Sequence, residues 1–336
     1  MDKHFEDLIL PQKLKLGQEN TPIYFLEKLS QKLRKNIYIK RDDFTGIELS
    51  GNKIRKLEYA LAEAVAQGAK TIITCGALQS NHARATVAAC RKIGLDVHLV
   101  LRGNEPELYS GNLLINHIMG AKITFLTAEA FSNHLETMLD LKKRYDELGQ
   151  DAYIIPVGAS NGIGNFGYFN AYMEILTQEK LLGIQFDAIT CTVGSGGTYS
   201  GLLLANHFNY NRKKIIGYSV GGSKAHFEEK SRAILNESIS MLRTLDNKVD
   251  FEKLSFEFDI RDEYQGAGYA ITNQEDIDFI KEIAQNEGLI LDPVYTGKCF
   301  KGLYTDIVKG RFEDANNILF IHTGGLLGLE AFSKWF

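Results

Sequence analysis

The residues best equipped for chemistry include a lysine set in a turn of small and polar residues. The stretch Ser50-Gly51-Asn52-Lys53-Ile54-Arg55-Lys56-Leu57-Glu58-Tyr59 passes directly into an amphipathic helical pattern. Lys53 falls in the first helical turn, where the positive end of the helix dipole disfavours a cation. A lysine so placed suits one that is neutralised, as an imine with an aldehyde would neutralise it; a solvated surface lysine is the alternative. A second stretch, Thr192-Val193-Gly194-Ser195-Gly196-Gly197-Thr198-Tyr199-Ser200-Gly201, separates a predicted buried strand from a helix. Backbone without side chains lets several N–H groups converge on an anion at a helix N-terminus, with the Ser195 and Thr198 hydroxyls added. Gly194, Ser195, Gly196, Gly197 and Thr198 therefore read as a phosphate cup, or else as a plain structural turn.

Other chemistries fit less well. A dinucleotide fingerprint needs an acidic residue about 20 positions further on, and Ile215-Ile216-Gly217-Tyr218-Ser219-Val220-Gly221-Gly222 has none. Gly297-Lys298 lacks the other residues of a Walker A loop, and the eight histidines form no His-Glu-x-x-His pair, so no metal is expected. Gly217-Tyr218-Ser219-Val220-Gly221 matches the bare hydrolase string, but Ser219 falls inside a predicted strand instead of on a sharp turn. Gly76-Ala77-Leu78-Gln79-Ser80-Asn81-His82-Ala83-Arg84 offers Ser80, Asn81 and backbone N–H groups to a carboxylate, or serves simply as a helix cap. Asp292-Pro293-Val294-Tyr295-Thr296-Gly297-Lys298 and His322-Thr323-Gly324-Gly325 are two further polar stretches, in which Tyr295 and Thr323 read equally as core residues with satisfied hydroxyls.

Such segments need a scaffold that brings strand ends together. Predicted strands are 71–75, 97–101, 122–126, 152–157, 188–193, 214–220 and 317–322, each short and nearly continuous in apolar residues, as buried parallel strands are. Helical patterns at 53–66, 82–93, 131–148, 167–182, 199–208, 226–245, 274–286 and 298–309 fill the gaps, which makes the fold class α/β. The 31 glycines concentrate where strands hand over to helices, the edge at which open α/β sheets bind ligands.

The chain has 336 residues, room for about two domains at roughly 150 residues each. Hydrophobic residues make up 44% and charged residues 24%, the composition of a folding chain. A net charge of −4 without a basic face argues against nucleic acid as a partner. Met1–Asp7 contains no apolar leader core and no stretch reaches the roughly 20 apolar residues of a membrane span. No membrane association is therefore expected. Cys75, Cys90, Cys191 and Cys299 lie far apart, consistent with reduced thiols and a cytoplasmic location.

As an ordered set, these motifs resemble the fold-type II pyridoxal-phosphate enzymes, and within them the group containing D-cysteine desulfhydrase and 1-aminocyclopropane-1-carboxylate deaminase. The likeness runs from about Pro22 to Phe332, through Lys40-Arg41-Asp42-Asp43, Gly51-Asn52-Lys53-x-Arg55-Lys56-Leu57-Glu58, Gln79-Ser80-Asn81-His82, Gly194–Thr198, Asp292–Lys298 and His322–Gly325. It implies a tryptophan synthase β-like arrangement of two domains, each with a mostly parallel twisted sheet flanked by helices. The larger, cofactor-binding domain would comprise 1–49 and 161–336, with 50–160 inserted as the smaller. It implies pyridoxal 5′-phosphate carried on Lys53, contacts from Asn81 to the phenolic oxygen, Thr323 in the cofactor site, and phosphate held by Gly194–Thr198. Ser80, Asn81 and His82 would receive the substrate carboxylate, with Ser80, Tyr269 and Tyr295 as further catalytic candidates. A homodimer is expected from the same likeness, as is a small amino-acid substrate. Deaminases of the group usually carry Glu at the place of Thr296 and Leu at that of Thr323. A carboxylate beside the ring nitrogen would make a stronger electron sink than a hydroxyl. The threonines thus favour elimination from D-cysteine, giving pyruvate, ammonia and hydrogen sulfide, over ring-opening deamination to 2-oxobutyrate and ammonia or a related sulfo-lyase or ammonia-lyase reaction.

Overall fold

A computed structural model describes residues 8–245 and 254–336. Met1–Asp7, where no leader was expected, lies outside the described residues. Two sheets organise the chain. The larger runs in the order β1 (Ile23–Phe25), β2 (Asn36–Lys40), β10 (Asn317–Ile321), β7 (Ala188–Val193), β8 (Lys214–Ser219), β9 (Asp259–Arg261), with only β1 antiparallel to its neighbour. The smaller runs β5 (Lys122–Leu126), β4 (Asp96–Arg102), β3 (Thr71–Ala77), β6 (Ala152–Ile154), all parallel. The central strands of both sheets are apolar because helices cover both faces: β7 of the larger is buried along its whole length, and β3 of the smaller along all but its last residue.

Ten α-helices accompany them among the described residues: α1 (Glu27–Leu33), α2 (Lys53–Ala66), α3 (Asn81–Lys92), α4 (Gly111–Ile118), α5 (His134–Glu147), α6 (Gly162–Leu182), α7 (Gly197–Phe208), α8 (Lys224–Leu245), α9 (Gln274–Glu287) and α10 (Thr296–Val308). The expected strands and helices recur with shifted ends. Strand 152–157 stops at Ile154, shortly before Pro156, which has no N–H for a ladder. The helix expected from residue 167 begins at Gly162, its first turns disguised by Gly162, Gly164 and Gly167. Strands β1, β2 and β9 and helices α1 and α4 are additional; each is short, three to eight residues.

The core sits where α6 passes between α2, α7 and α8. Close approach there is enforced by small residues. A Cβ on Gly167 would lie 2.4 Å from the Arg55 carbonyl oxygen on α2, and one on Gly201 would lie 2.5 Å from that of Asn165 on α6. These two crossings fix the start of α2 relative to the start of α7, the two helix ends that carry Lys53 and the glycine loop. All four cysteines are buried free thiols. Among the described residues no helix is long and apolar enough to cross a membrane, and no cluster of three or more His, Cys, Asp or Glu could hold a metal ion.

Candidate active site

The carboxyl ends of strands from both sheets open onto one cavity of about 160 Å³. Lys53 and Asn52 reach it from the start of α2, Ser80, Asn81 and His82 from the β3–α3 turn, and Arg102 from the end of β4. Gly194, Ser195, Gly196 and Thr198 line it from the β7–α7 turn, Thr323 from beyond β10, and Tyr295 and Tyr269 from the loops before α10 and after β9. Residues far apart in sequence and singled out there as candidates thus share one site.

Lys53 is half-buried and its Nζ donates to Asn52 Oδ1 at 2.9 Å, while Asn52 Nδ2 donates to Thr198 Oγ1 at 2.9 Å. The lysine is thereby tied to the glycine loop. Burial pushes its pKa down to about 8; Asp292 nearby works against the shift and Arg84 with it. The aromatic ring of Tyr295 lies 5.8 Å from the amine. Upstream, Gly51 adopts φ +106°, and a Cβ there would lie 2.6 Å from the Thr323 carbonyl oxygen, which accepts from Asn52 N–H at 3.2 Å. Only glycine permits this approach of the lysine turn to β10's end.

In the glycine loop, Gly196 has φ +90° and supplies no side-chain cap to the start of α7. Ser160, which sequence reasoning did not single out, completes it. Its hydroxyl lies 2.7 Å from Ser195 Oγ, accepts from Gly197 N–H at 3.3 Å and accepts from Lys56 Nζ at 3.0 Å. Lys56 is fully buried and, among the described residues, has no carboxylate partner. Burial, with Lys53 and Lys230 nearby, holds its pKa well below the usual lysine range. An amine left without a counter-ion beside a helix N-terminus and two hydroxyls would gain one from a phosphate ester. With a reactive amine one helical turn away, these residues fit pyridoxal phosphate. In the sequence the only signal for Lys56 is its place three residues after Lys53, which is periodicity alone.

The β3–α3 turn divides its roles. Ser80 caps α3, its Oγ accepting from Ala83 N–H at 3.1 Å, which leaves its own proton to donate. Asn81 Oδ1 accepts from Asn112 Nδ2 at 2.9 Å, leaving the Asn81 amide N–H groups as donors. His82 departs from expectation. Thr74 Oγ1 gives its proton to the Ile155 carbonyl at 2.7 Å, so the 2.8 Å contact to His82 Nε2 must be donated by the histidine. Burial first, then Lys53 and Lys56, hold His82 well below the usual histidine range and hence neutral. Its remaining atom, Nδ1, is a buried acceptor without a partner and offers nothing to a carboxylate.

Thr296 also departs from expectation. It is buried away from the cavity, donating from Oγ1 to Asp292 Oδ1 at 2.7 Å and accepting from Asp292 N–H at 2.8 Å. The Asp292 carboxylate accepts further from the N–H groups of Val294, Tyr295 and Thr296 at 2.8–2.9 Å, so it anchors the start of α10. Thr323 does line the cavity. The hydroxyls of Tyr295 and Tyr269 hydrogen-bond each other, and burial raises both above the usual tyrosine range, so both stay protonated.

Comparison with known proteins agrees with this geometry. The family described as pyridoxal-phosphate dependent enzyme matches residues 14–324. The chain is 39% identical over 303 residues to the bifunctional D-cysteine desulfhydrase/1-aminocyclopropane-1-carboxylate deaminase of Arabidopsis thaliana, covering 87% of this chain and 73% of that protein. It is 36% identical over 325 residues to D-cysteine desulfhydrase of Klebsiella pneumoniae, covering 95% and 96% respectively. The crystal structure of an ACC deaminase homologue superposes with a TM-score of 0.87 at 36% identity, over 97% of this chain and 95% of that one. Homologous over nearly its full length, and built around an amine and an anion cup that suit the cofactor, the chain belongs to the pyridoxal-phosphate-dependent enzymes, in the group that holds D-cysteine desulfhydrases and 1-aminocyclopropane-1-carboxylate deaminases.

Proposed function

We propose that this enzyme is a lyase that eliminates the β-substituent of a small amino acid, with D-cysteine plus water giving pyruvate, ammonia and hydrogen sulfide. The observation that carries the reading is the lining of the cavity: hydroxyls of Ser80, Thr323, Tyr269 and Tyr295, with no Asp or Glu among the described residues. Bound pyridoxal phosphate supplies an electron sink for the pair left at Cα. Without a carboxylate beside it that sink is modest, which suffices to expel a thiolate more readily than to open a cyclopropane. Gly194–Thr198 would hold the phosphate, with Lys56 supporting that loop through Ser160, Asn81 and Thr323 would contact the cofactor, and Lys53 would carry it.

Once released by substrate, the Lys53 amine takes the proton from Cα; its depressed pKa keeps a useful neutral fraction near neutral pH. Ser80 and Asn81 donate to the substrate carboxylate and so fix the Cα–H bond in position, an orientation effect. Tyr295, protonated and beside Lys53, gives a proton to the departing group, and Tyr269 orients it. Two lobes divide these tasks in our reading, residues 50–160 against 1–49 with 161–336, supported by the placement of β3–β6 entirely within the former. A homodimer in the cytoplasm belongs to the same proposal.

The test is a side-by-side assay of the cofactor-loaded protein with D-cysteine, L-cysteine and 1-aminocyclopropane-1-carboxylate, following pyruvate, sulfide and 2-oxobutyrate. Pyruvate and sulfide from D-cysteine are expected. Release of 2-oxobutyrate from the cyclopropane as the dominant activity would replace the desulfhydrase reading with a deaminase one. Lys53→Ala should abolish turnover together with the visible absorption of lysine-bound cofactor.

A further inference from the structure

We propose that Lys298 is a positioning residue for the tyrosine pair, a buried clamp that holds the loop bearing Tyr269 against the helix that follows Tyr295. This rests on the reading above, in which Tyr295 gives a proton to the departing group and Tyr269 orients it. Tyr269 sits in the irregular segment between β9 and α9, where Gly266, Ala267, Tyr269 and Ala270 are exposed. Ala270 is left-handed at φ +59°, a conformation that an L side chain keeps only where the surroundings fix it. Lys298 fixes this turn from beneath. It is buried in the first turn of α10, and its Nζ donates to the Gln265 carbonyl at 2.7 Å and to the Gly268 carbonyl at 2.6 Å. The two carbonyls bracket the turn immediately before Tyr269. On the other side the Tyr269 backbone rests on Gly221, where a Cβ would lie 2.5 Å from Tyr269 Cβ.

Stability does not account for an amine in this place. Among the described residues Lys298 has no carboxylate partner, and its hydrogen bonds go to neutral carbonyls. Burial pushes its pKa below the usual lysine range although Asp276 and Asp292 work against the shift. An apolar side chain of similar length would be cheaper to bury. What the amine does supply is a link. Tyr295 immediately precedes α10 and Lys298 follows three residues later, so one helix start carries one tyrosine and grips the loop of the other. The two hydroxyls hydrogen-bond, and the rings meet edge to face with centroids 5.8 Å apart. A shift of either backbone by about 1 Å would take that hydrogen bond out of range.

Two substrates that differ only in the departing group isolate this effect: D-cysteine, whose sulfur leaves with a proton, and 3-chloro-D-alanine, whose chloride needs none. The quantity read is the ratio of their kcat values, for the cofactor-loaded natural chain, Lys298→Met, Lys298→Arg and Tyr295→Phe. Lys298→Met is expected to lower the ratio of D-cysteine to chloroalanine turnover about ten-fold. Lys298→Arg, which keeps the donors, should recover part of it. In the cofactor-free protein, elastase should cut Lys298→Met faster than the natural chain within residues 264–271, at sites read by mass spectrometry, without a fall in melting temperature. Equal loss for both substrates would overturn the proposal, as would a ratio left unchanged where Tyr295→Phe lowers it. So would unchanged cleavage of the segment, or cleavage spread along the chain with a lowered melting temperature. A ratio that Tyr295→Phe leaves unchanged would instead strike the underlying reading of proton delivery, and the cleavage rate then still decides whether Lys298 holds the loop.

Discussion

Two lysines one helical turn apart show how environment assigns chemistry to identical side chains. Lys53 has an amide neighbour and an opening to the cavity; Lys56 has a serine and none. A lowered lysine pKa means that burial penalises the charged form, so Lys53 costs stability below about pH 8 and that cost is relieved as pH rises from about 8 toward 10.5. Reductive trapping of the cofactor-free protein with a small aldehyde should therefore modify Lys53 at a rate that climbs about ten-fold per pH unit below 8 and levels above it. Peptide mass spectrometry checks the site and the slope; a rise continuing past pH 10 would contradict the shift. Lys56→Met should act in opposite directions on two quantities. Removing a buried amine whose burial is penalised raises the melting temperature of the cofactor-free protein, whereas cofactor affinity, followed by fluorescence titration, falls about ten- to hundred-fold.

At the scale of helices and strands, the site depends on crossings that admit no side chain. Gly167→Ala would drive a methyl into the Arg55 carbonyl and push α2, with Lys53 at its head, away from α6. Overpacking of this kind costs about 1–3 kcal/mol, to be measured by urea denaturation, and cofactor affinity should fall with it. Such crossings were not legible in the sequence, where Gly162 and Gly164 fall before the expected helix and Gly167 at its first residue. The buried parallel strands were legible because both faces are covered and their apolar runs are continuous. Three-residue β1 and β9 were not, since so short a run carries no period. The Gly194–Thr198 turn and the Lys53 turn stood out by composition, yet Ser160, 104 residues from Lys56, has no local signal at all. His82 and Thr296 were placed by motif, and their hydrogen-bond partners Thr74 and Asp292 decide otherwise.

For the molecule as a whole, a buried ionic cluster ties the N-terminal segment to α2 and α6. Arg55 donates to both Asp42 oxygens at 2.8 and 2.9 Å and to Glu174 at 2.9 Å, and Lys40 donates to Glu174 at 2.6 Å. Burial alone would raise Asp42, but Arg55 and Lys40 hold it down to about 2. A depressed carboxylate pKa contributes stability that is full above about pH 4 and is lost as pH falls toward 2. Acid unfolding should centre in that interval, and Arg55→Ala, which strands two buried carboxylates, should cost about 3–5 kcal/mol at neutral pH by denaturant titration. Unfolding of Arg55→Ala at the same denaturant midpoint as the natural chain would remove the cluster from the stability argument.

The two sheets contribute unequally to the cavity. Lys53 and the anion cup are braced against the larger one through Asn52, Thr198 and Thr323, whereas Ser80, Asn81 and Arg102 stand on strand ends of the smaller. In the proposed reading, the part that carries most of the cofactor and the part that reads the substrate are therefore separable in inheritance. Changes confined to the β3 and β4 ends can alter which amino acid is accepted while the cofactor apparatus stays intact, which is a physical route by which one scaffold comes to carry relatives with two different names.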